Sequence, residues 1–217
     1  MGKIQFTKEQ KIILDELAQN EWFSTHFYFT GGTALSSFYL HHRFSDDLDF
    51  FSTEKFDNQT IFTLMEEWGK KHNFTFQSRF MEVTYIFNLK FKDGENLKVD
   101  FGYYPYKRVK KGMEKEGLNI DSLLDIAVNK MLTVSQRTEV KDFVDLYYLL
   151  QKFTVWDLME GVGVKFKIKI DPFLAGMDLL KAEDFDYLPK MIKLLTLEKL
   201  KLFFKQQAEK LGRKSLE

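Results

Sequence analysis

Asp47 and Asp49 stand one residue apart in the run Asp47-Leu48-Asp49-Phe50-Phe51, acids set inside an otherwise apolar segment. In an extended strand, residues i and i+2 point the same way with Cα atoms about 6.5–7 Å apart. The two carboxylates then share one face while Leu48 turns to the other. That separation lets them converge on divalent ions roughly 3.5–4 Å apart, the geometry of two-metal phosphoryl transfer. Asp100 is the best third carboxylate. In the run 97–104, Leu97, Val99, Phe101 and Tyr103 fall on one face of a strand, leaving Lys98 and Asp100 on the opposite one. Two carboxylates about 5 Å apart repel by roughly 3 kcal/mol at an effective dielectric of 20, so a third is tolerable only beside a cation. All-oxygen ligation selects Mg²⁺ or Mn²⁺ over zinc. The bland reading is a pair of solvent-facing acids on an edge strand.

Gly31-Gly32 precedes a helical pattern, permits close backbone approach and aims free amides at an anion, and Thr33 adds a hydroxyl at the helix start. Such a turn would cradle a polyphosphate; its plainer role is a tight turn capped by Thr33. Arg43 either touches phosphate or pins the acidic strand by a salt bridge. His41 and His42, near a helix end, read as favourable partial charges at the C-terminal dipole rather than as metal ligands. Lys107, Arg108, Lys110 and Lys111 lie beside Tyr103, Tyr104 and Tyr106, a composition suited to RNA phosphates and bases, although a solvated linker is the commoner explanation.

The elements that must hold these residues follow from periodicity. Residues 7–18 form an amphipathic helix with Thr7 as N-cap and Gln10 completing a capping box. A short aromatic strand, 26–30, stops at the glycines; a helix begins there, with Leu35, Phe38 and Tyr39 at helical offsets; the acidic strand comes next, then a helix over 58–72 with Ile61, Leu64, Met65 and Trp68 on one face. Val83, Tyr85, Phe87, Leu89 and Phe91 alternate, an Asp-Gly turn follows, and the Asp100 strand completes a hairpin. From about Asp121 the pattern is helical: 121–134, 140–150 with Phe143, Leu146, Tyr147 and Leu150 on one face, and stretches near 171–182 and 196–211. The basic, glycine-containing segment Tyr106 to Gly117 reads as the boundary, giving an α/β core over 1–112 and a helical domain over 113–217 that completes a cleft.

Bulk composition narrows the classes further. The chain of 217 residues is 44% hydrophobic and carries 23 phenylalanines, which indicates a packed globular protein. Lys+Arg and Asp+Glu balance at 32 each, so any nucleic-acid site must be local. With no cysteine there are no disulfides, thiolate metal sites or thiol nucleophiles. No apolar signal core opens the sequence and no run approaches the roughly 18 apolar residues of a membrane span, so a cytoplasmic protein without membrane partners is expected.

The order glycine pair, helix, acidic strand, later acid resembles the nucleotidyltransferase superfamily. The closer similarity is to the AbiEii/AbiGii toxin family, carried by Gly31-Gly32-Thr33-Ala34-Leu35, His42-Arg43, Ser45 and Asp47-Leu48-Asp49-Phe50-Phe51. It continues in the Asp100 segment and in Lys130 followed by Lys141-Asp142 and Asp145-Leu146, so it spans roughly 29–150. Lys141 stands where arginine is usual, which weakens any bidentate contact there.

This resemblance implies an α+β fold: a nucleotidyltransferase-like mixed sheet flanked by helices, followed by the helical domain. It implies transfer of a nucleoside monophosphate from an NTP to an acceptor hydroxyl of RNA, tRNA or protein, with Mg²⁺ or Mn²⁺, in a toxin–antitoxin or abortive-infection setting with a cognate antitoxin. Asp47, Asp49 and Asp100 would hold metals, Asp100 also helping to deprotonate the attacking hydroxyl. Gly31, Gly32, Thr33 and Arg43 would line the nucleotide. Lys130 would offset triphosphate charge, and Asp142 and Asp145 would orient Lys130 or the acceptor. The rival readings are a catalytically silent member binding a partner protein or RNA, and a metal-dependent phosphohydrolase, whose usual histidine–aspartate ligands these four histidines do not assemble.

Overall fold

A computed structural model describes residues 6–214; residues 1–5, the start of the segment read for a signal core, lie outside the described residues, as do 215–217. The chain divides into two compact units. The sheet unit runs to Tyr39, then takes in Ser45–Lys107 and Lys111–Ser122; the helical unit takes Leu40–Phe44, Arg108–Lys110 and the chain from Leu123 onward.

The sheet unit begins with α1 (Lys8–Gln19) and α2 (Glu21–His26). Both halves of the expected capping box are present, Gln10 N–H donating to Thr7 Oγ1 and Thr7 N–H to Gln10 Oε1. Then come β1 (Tyr28–Thr30), a helical turn α3 (Gly31–Ala34) that widens into a π-helical stretch (Leu35–Leu40), β2 (Leu48–Ser52) and α4 (Asn58–His72). Next are β3 (Phe74–Met81), β4 (Thr84–Phe91), β5 (Asn96–Tyr103), β6 (Met113–Lys115) and β7 (Leu118–Ile120).

The seven strands make one mixed sheet in the order β3-β4-β5-β2-β1-β7-β6. β2 runs parallel to β5 and antiparallel to β1, so the acidic strand lies inside the sheet with a partner on each side. That position rules out the edge-strand reading of its acids. One face of the central strands is apolar: Leu48, Phe50, Val99, Phe101 and Phe87 have no exposed surface. Phe23 of α2 meets the rings of Phe50 and Phe101 edge-on at 5.1 and 5.6 Å. Aromatic pairs in this geometry add about 0.5–1.5 kcal/mol each to their area burial. With one face sealed by rings, β2 and β5 have only the other on which to place Asp49 and Asp100.

Four elements of this unit escape periodicity. The first is α2, whose last residue, His26, stands at the expected start of the strand that begins at Tyr28. β3 reads Phe-Thr-Phe-Gln-Ser-Arg-Phe-Met, mostly exposed, and is a strand because it pairs along its whole length with β4. β6 falls in the segment taken as a boundary and β7 directly after it; they are too short to alternate, and their turn is set by Glu116 and Gly117, both at positive φ (53° and 77°), as a two-residue hairpin requires. Val83 and Tyr85 do not share the burial of Phe87, Leu89 and Phe91, Val83 being exposed.

The helical unit contains α5 (Leu123–Gln136), α6 (Val140–Leu149), α7 (Val155–Phe166), α8 (Pro172–Leu180) with a 3₁₀ turn (Lys181–Asp184), and α9 (Leu197–Lys214). α6 buries Phe143, Val144, Leu146 and Tyr147, close to the expected face. α7 is not legible from its sequence because Gly161 and Gly163 interrupt it. Gly161 is demanded by packing, since a Cβ there would stand 2.4 Å from Val128 Cγ2 of α5. No described helix is long and apolar enough to cross a membrane.

Candidate active site

Asp49 and Asp100 are register partners across the parallel pair β2/β5, so their side chains leave the same face of the sheet on adjacent strands. Asp47 lies just before β2, and its charge acts on Asp100, adding to the rise in that residue's pKa. Gly31, at φ 73°, sits directly against Asp49: a Cβ on it would fall 2.1 Å from Asp49 Oδ2. Position 31 therefore admits only glycine, both for its dihedral and for the space the carboxylate takes. The structure thus brings Gly31, Asp47, Asp49 and Asp100 into one neighbourhood on the open face of the sheet.

Two side chains fasten the segment that carries Asp47. Gln10, buried in α1, donates from Nε2 to the carbonyls of Ser45 and Asp46, each at 2.9 Å. Thr33, also buried, donates its hydroxyl to the carbonyl of Asp47. Three successive carbonyls are therefore held from two directions. Thr33, expected to reach phosphate with its hydroxyl, uses that hydroxyl inside the protein. Thr30 does not cap α3; its hydroxyl donates instead to Asp121 Oδ2 at 2.9 Å, which leaves the amides at the glycine turn without a side-chain cap.

The setting of Asp100 perturbs its carboxyl. Burial raises its pKa, the ion pair with Lys98 pulls it back, and the negative charge of Asp47 raises it further. Lys98 Nζ contacts Oδ2, while Oδ1 is buried without a hydrogen-bond partner. The orphaned oxygen and the all-carboxylate donor set fit a hard divalent cation, which would draw on Asp47, Asp49 and Asp100. Among the described residues, no three His, Asp or Glu side chains are already gathered as a closed metal-binding group; at Asp100, Lys98 is the positive charge in place.

A second constellation lies in the helical unit. Asp142 and Asp145, one turn apart on α6, are fully buried. Lys130 Nζ lies 2.6 Å from Asp142 Oδ1 and 2.7 Å from Asp145 Oδ2. Arg137 Nε donates to Asp142 Oδ2 at 2.7 Å. Arg43 forks onto Asp145, Nε to Oδ1 at 2.6 Å and Nη2 to Oδ2 at 2.9 Å, and His42 Nε2 meets the same Oδ1 at 2.7 Å. Burial alone would raise both carboxyls, but Lys130 and the arginines hold them below the ordinary range, Asp145 well below. Burial pulls Lys130 down, yet the charges of Asp145 and Asp142 carry it above its usual value.

Two expectations change here. Arg43 does not pin the acidic strand; it is bound to Asp145 on α6, and the bridge between Arg43 and Met191, with Ile192 and Lys193 amides donating to the His42 carbonyl, fixes its segment within the helical unit. His42 is not a charged group at a helix end: it is fully buried, burial lowers its pKa, and it is neutral at pH 7, donating to Asp145. His41 follows the π-helical stretch in a left-handed conformation, φ 49°.

The basic stretch is not simply a solvated linker either, since Val109 and Lys110 amides donate to Asp125 at 2.8 and 2.9 Å, and buried Lys165 pairs with the same carboxylate at 2.8 Å. Lys141 lies half-buried at the start of α6. Sequence reading missed the anchoring roles of Asp125 and Gln10. Lys98 was visible on the face of Asp100, but its pairing was not.

Against known proteins, the family described as nucleotidyl transferase AbiEii toxin, type IV TA system, matches residues 12–214. An uncharacterised Aquifex aeolicus protein, aq_aa25, is 34% identical over 157 residues, covering 70% of each chain. In three dimensions the chain is similar to JHP933 from Helicobacter pylori, with a TM-score of 0.56 at 20% identity over 97% of this chain and 95% of that one.

Proposed function

Because the chain belongs to the AbiEii nucleotidyl transferase toxin family, we propose that it transfers a nucleoside monophosphate from an NTP to an acceptor hydroxyl of RNA, tRNA or protein. The observation that carries this reading is the in-register pair Asp49 and Asp100 with Gly31 packed on the Asp49 carboxylate. In this proposal Asp47, Asp49 and Asp100 hold Mg²⁺ or Mn²⁺, which when bound supplies charge for the phosphoryl oxygens. The uncapped amides at Gly31 and Gly32 face the phosphates, and Thr33 acts by holding the Asp47 carbonyl. Asp100, its pKa raised by burial, takes the proton of the acceptor hydroxyl as the α–β phosphoanhydride bond breaks and pyrophosphate leaves.

Within the helical unit, Lys130 is the cation held between Asp142 and Asp145. Its ammonium has three N–H groups and contacts two carboxylates. Asp142 and Asp145 are positioning residues for it, because each carboxylate oxygen already has a cationic or imidazole partner. The family's type IV setting supports a cognate antitoxin as partner.

One observation favours a second reading. Lys98 already neutralises Asp100, as a silent member that binds a protein or RNA without metal would need. The deciding experiment incubates the protein with α-³²P NTPs, Mg²⁺, and total RNA or cell lysate. Label transferred by the wild type and lost in Asp49→Ala supports nucleotidyl transfer. No transfer to any acceptor, with partner binding that ignores Mg²⁺ and Asp49→Ala, overturns it in favour of the silent module.

A further inference from the structure

The two ends of the sheet are finished differently. β6 closes one end with 3 residues, too few to template another chain. β3 closes the other with 8, paired to β4 without interruption from the Phe74/Phe91 pair to the Met81/Thr84 pair. In an antiparallel ladder alternate residues exchange both bonds with their partner, so every second residue of β3 turns its N–H and C=O to the open edge. Natural edges are blunted by shortness, proline, lysine, a bulge or a covering element. β3 contains no proline and no lysine, its ladder is unbroken, and residues 77–81 are exposed. Its one charge, Arg79, lies in the row of Ile86 and Asp100, on the acidic side of the sheet.

On the opposite side, Phe74, Phe76, Ser78 and Phe80 share the face that carries Phe87 and Phe101. α4 seals this apolar face only part of the way to the edge. Phe74 is buried, Phe76 is half-buried with its ring edge-on to Phe62 at 5.4 Å, and Phe80 is 54% exposed. Between α4 and the strand lies a furrow of about 480 Å³ lined by Phe62, Glu66, Lys70, Phe74, Phe76 and Ser78. Lys70 on its wall and Glu82 at the tip of the β3/β4 hairpin are exposed and make no hydrogen bond or ion pair with any described residue.

We propose that β3 pairs antiparallel with β3 of a second copy of this chain, about a two-fold axis through Ser78, so that the two sheets become one. Register supports the second copy as occupant. A two-fold normal to the sheet pairs residues whose numbers sum to an even value, which keeps apolar face beside apolar face. Centred on Ser78, it sets Phe76 opposite Phe80 of the second copy, and Phe80 opposite Phe76 of the second copy, on either side of the two serines. Each exposed Phe80 ring then enters the furrow beside Phe62, and the small serine leaves room at the axis. On the other face Gln77 meets Arg79 and Thr75 meets Met81. The next pair, Phe74 with Glu82, brings that carboxylate to Lys70, so both unpaired charges are matched. A strand from another protein would have to bring an aromatic ring for the furrow and an acid for Lys70; β3 and its hairpin carry both. The acidic faces of the two copies open on the same side of the joined sheet.

Sedimentation velocity of the full chain from low to high micromolar concentration is expected to show a monomer–dimer equilibrium. Ser78→Lys sets two like charges face to face at the axis and should weaken the dimer about tenfold or more. Because Ser78 is exposed, far-UV circular dichroism and thermal unfolding of the dilute variant should match the wild type. Lys70→Glu and Glu82→Lys should each weaken the dimer, and the double variant should recover it. The chain contains no cysteine, so one introduced thiol reports the register. Ser78→Cys places two thiols directly opposite, with Cα atoms about 4.5–5.5 Å apart, within reach of a disulfide. Thr75 lies opposite Met81, so Thr75→Cys keeps its two thiols about 20 Å apart and should not cross-link.

A wild type that stays monomeric at high concentration overturns the proposal, as does a dimer that Ser78→Lys leaves intact. Cross-linking of Thr75→Cys rather than Ser78→Cys places another surface or register at the contact and overturns it as well. So does a charge-swapped double variant that fails to regain what each single substitution loses. A monomeric wild type whose β3 amides are protected from hydrogen exchange by an added extended peptide would assign the edge to another protein. None of these outcomes bears on label transfer, which Asp49→Ala decides separately.

Discussion

Replacing Gln10 by glutamate separates two roles that one side chain combines. Gln10 Oε1 accepts from the Thr7 amide at 3.0 Å, closing the capping box, and Nε2 donates to the carbonyls of Ser45 and Asp46 at 2.9 Å. Glutamate keeps the acceptor and turns the donor group into an oxygen aimed at two carbonyl oxygens. Two lost hydrogen bonds at about 0.5–1.5 kcal/mol each, with two buried acceptors left facing an anion, place the cost at about 2–4 kcal/mol.

Thr7→Ala removes the other half of the same box and should cost about 1 kcal/mol. Urea unfolding of both variants measures the difference. The Gln10→Glu deficit also carries a sign in pH. The new carboxyl, buried among carbonyls, has its folded pKa raised, so it contributes relative stability at low pH that is lost as pH rises through that pKa. The gap to wild type should therefore widen from pH 4 to pH 7, and Mg²⁺-dependent stabilisation by NTP should fall in Gln10→Glu but persist in Thr7→Ala. Equal destabilisation by the two variants, or a gap that does not change with pH, would refute the clamp.

The buried neutral His42 gives a second pH signature: its folded pKa lies below the unfolded value of about 6.5, so its contribution is complete above that pH and is lost as pH falls. Thermal unfolding of wild type should drop below pH 6.5, and His42→Gln, which keeps a donor for Asp145, should flatten that drop. Gly31→Ala forces a side chain into a left-handed dihedral and onto Asp49 Oδ2; nucleotidyl transfer should vanish while far-UV circular dichroism stays that of the wild type. Gly161→Ala should cost about 1–3 kcal/mol by overpacking Val128, and the double variant with Val128→Ala should recover part of it in a denaturant series.

Part of the acidic face was legible because it follows from period two: Asp49, and Asp100 with Lys98, lie on the open side once Leu48 and Val99 are assigned to the core, whereas Asp47 stands just outside the strand. The capping box, α1, α4 and α6 were legible for the same kind of reason, each resting on contacts within a few residues. What escaped depends on partners distant in sequence. Gln10 reaches Ser45 across 35 positions, and Arg43 finds Asp145 across 102; nothing local in either segment announces the partner. β3 carries no alternation because, as an edge strand of the sheet, it leaves both faces largely exposed, and α7 reads as broken because Gly161 answers to Val128 rather than to helix propensity.

The two acidic clusters handle charge in opposite ways, and this decides what each can do. In the helical unit, two buried carboxylates meet buried Lys130 and Arg43, with His42 neutral and Arg137 at the margin. Every oxygen of Asp142 and Asp145 has a partner, so removing Lys130, Arg43 or one of the two carboxylates strands a buried charge at a cost of about 3–5 kcal/mol. Such a closed cluster fixes Lys130 and the His42-Arg43 segment but has no oxygen left with which to accept a proton. In the sheet unit the balance is open: Asp100 has one oxygen on Lys98 and one on nothing, beside a charge on Asp47 that raises its pKa. An incomplete set of this kind gains from binding a cation where the complete one would lose. Lys98→Met should therefore raise the affinity of the NTP-free protein for Mn²⁺, measured calorimetrically, whereas Lys90→Met, which removes a charge from the same face of the sheet without touching Asp100, should leave it unchanged. Equal effects of the two would mean that Lys98 acts only through the general field, and Asp100 would then lose its distinction from any other carboxylate on that face.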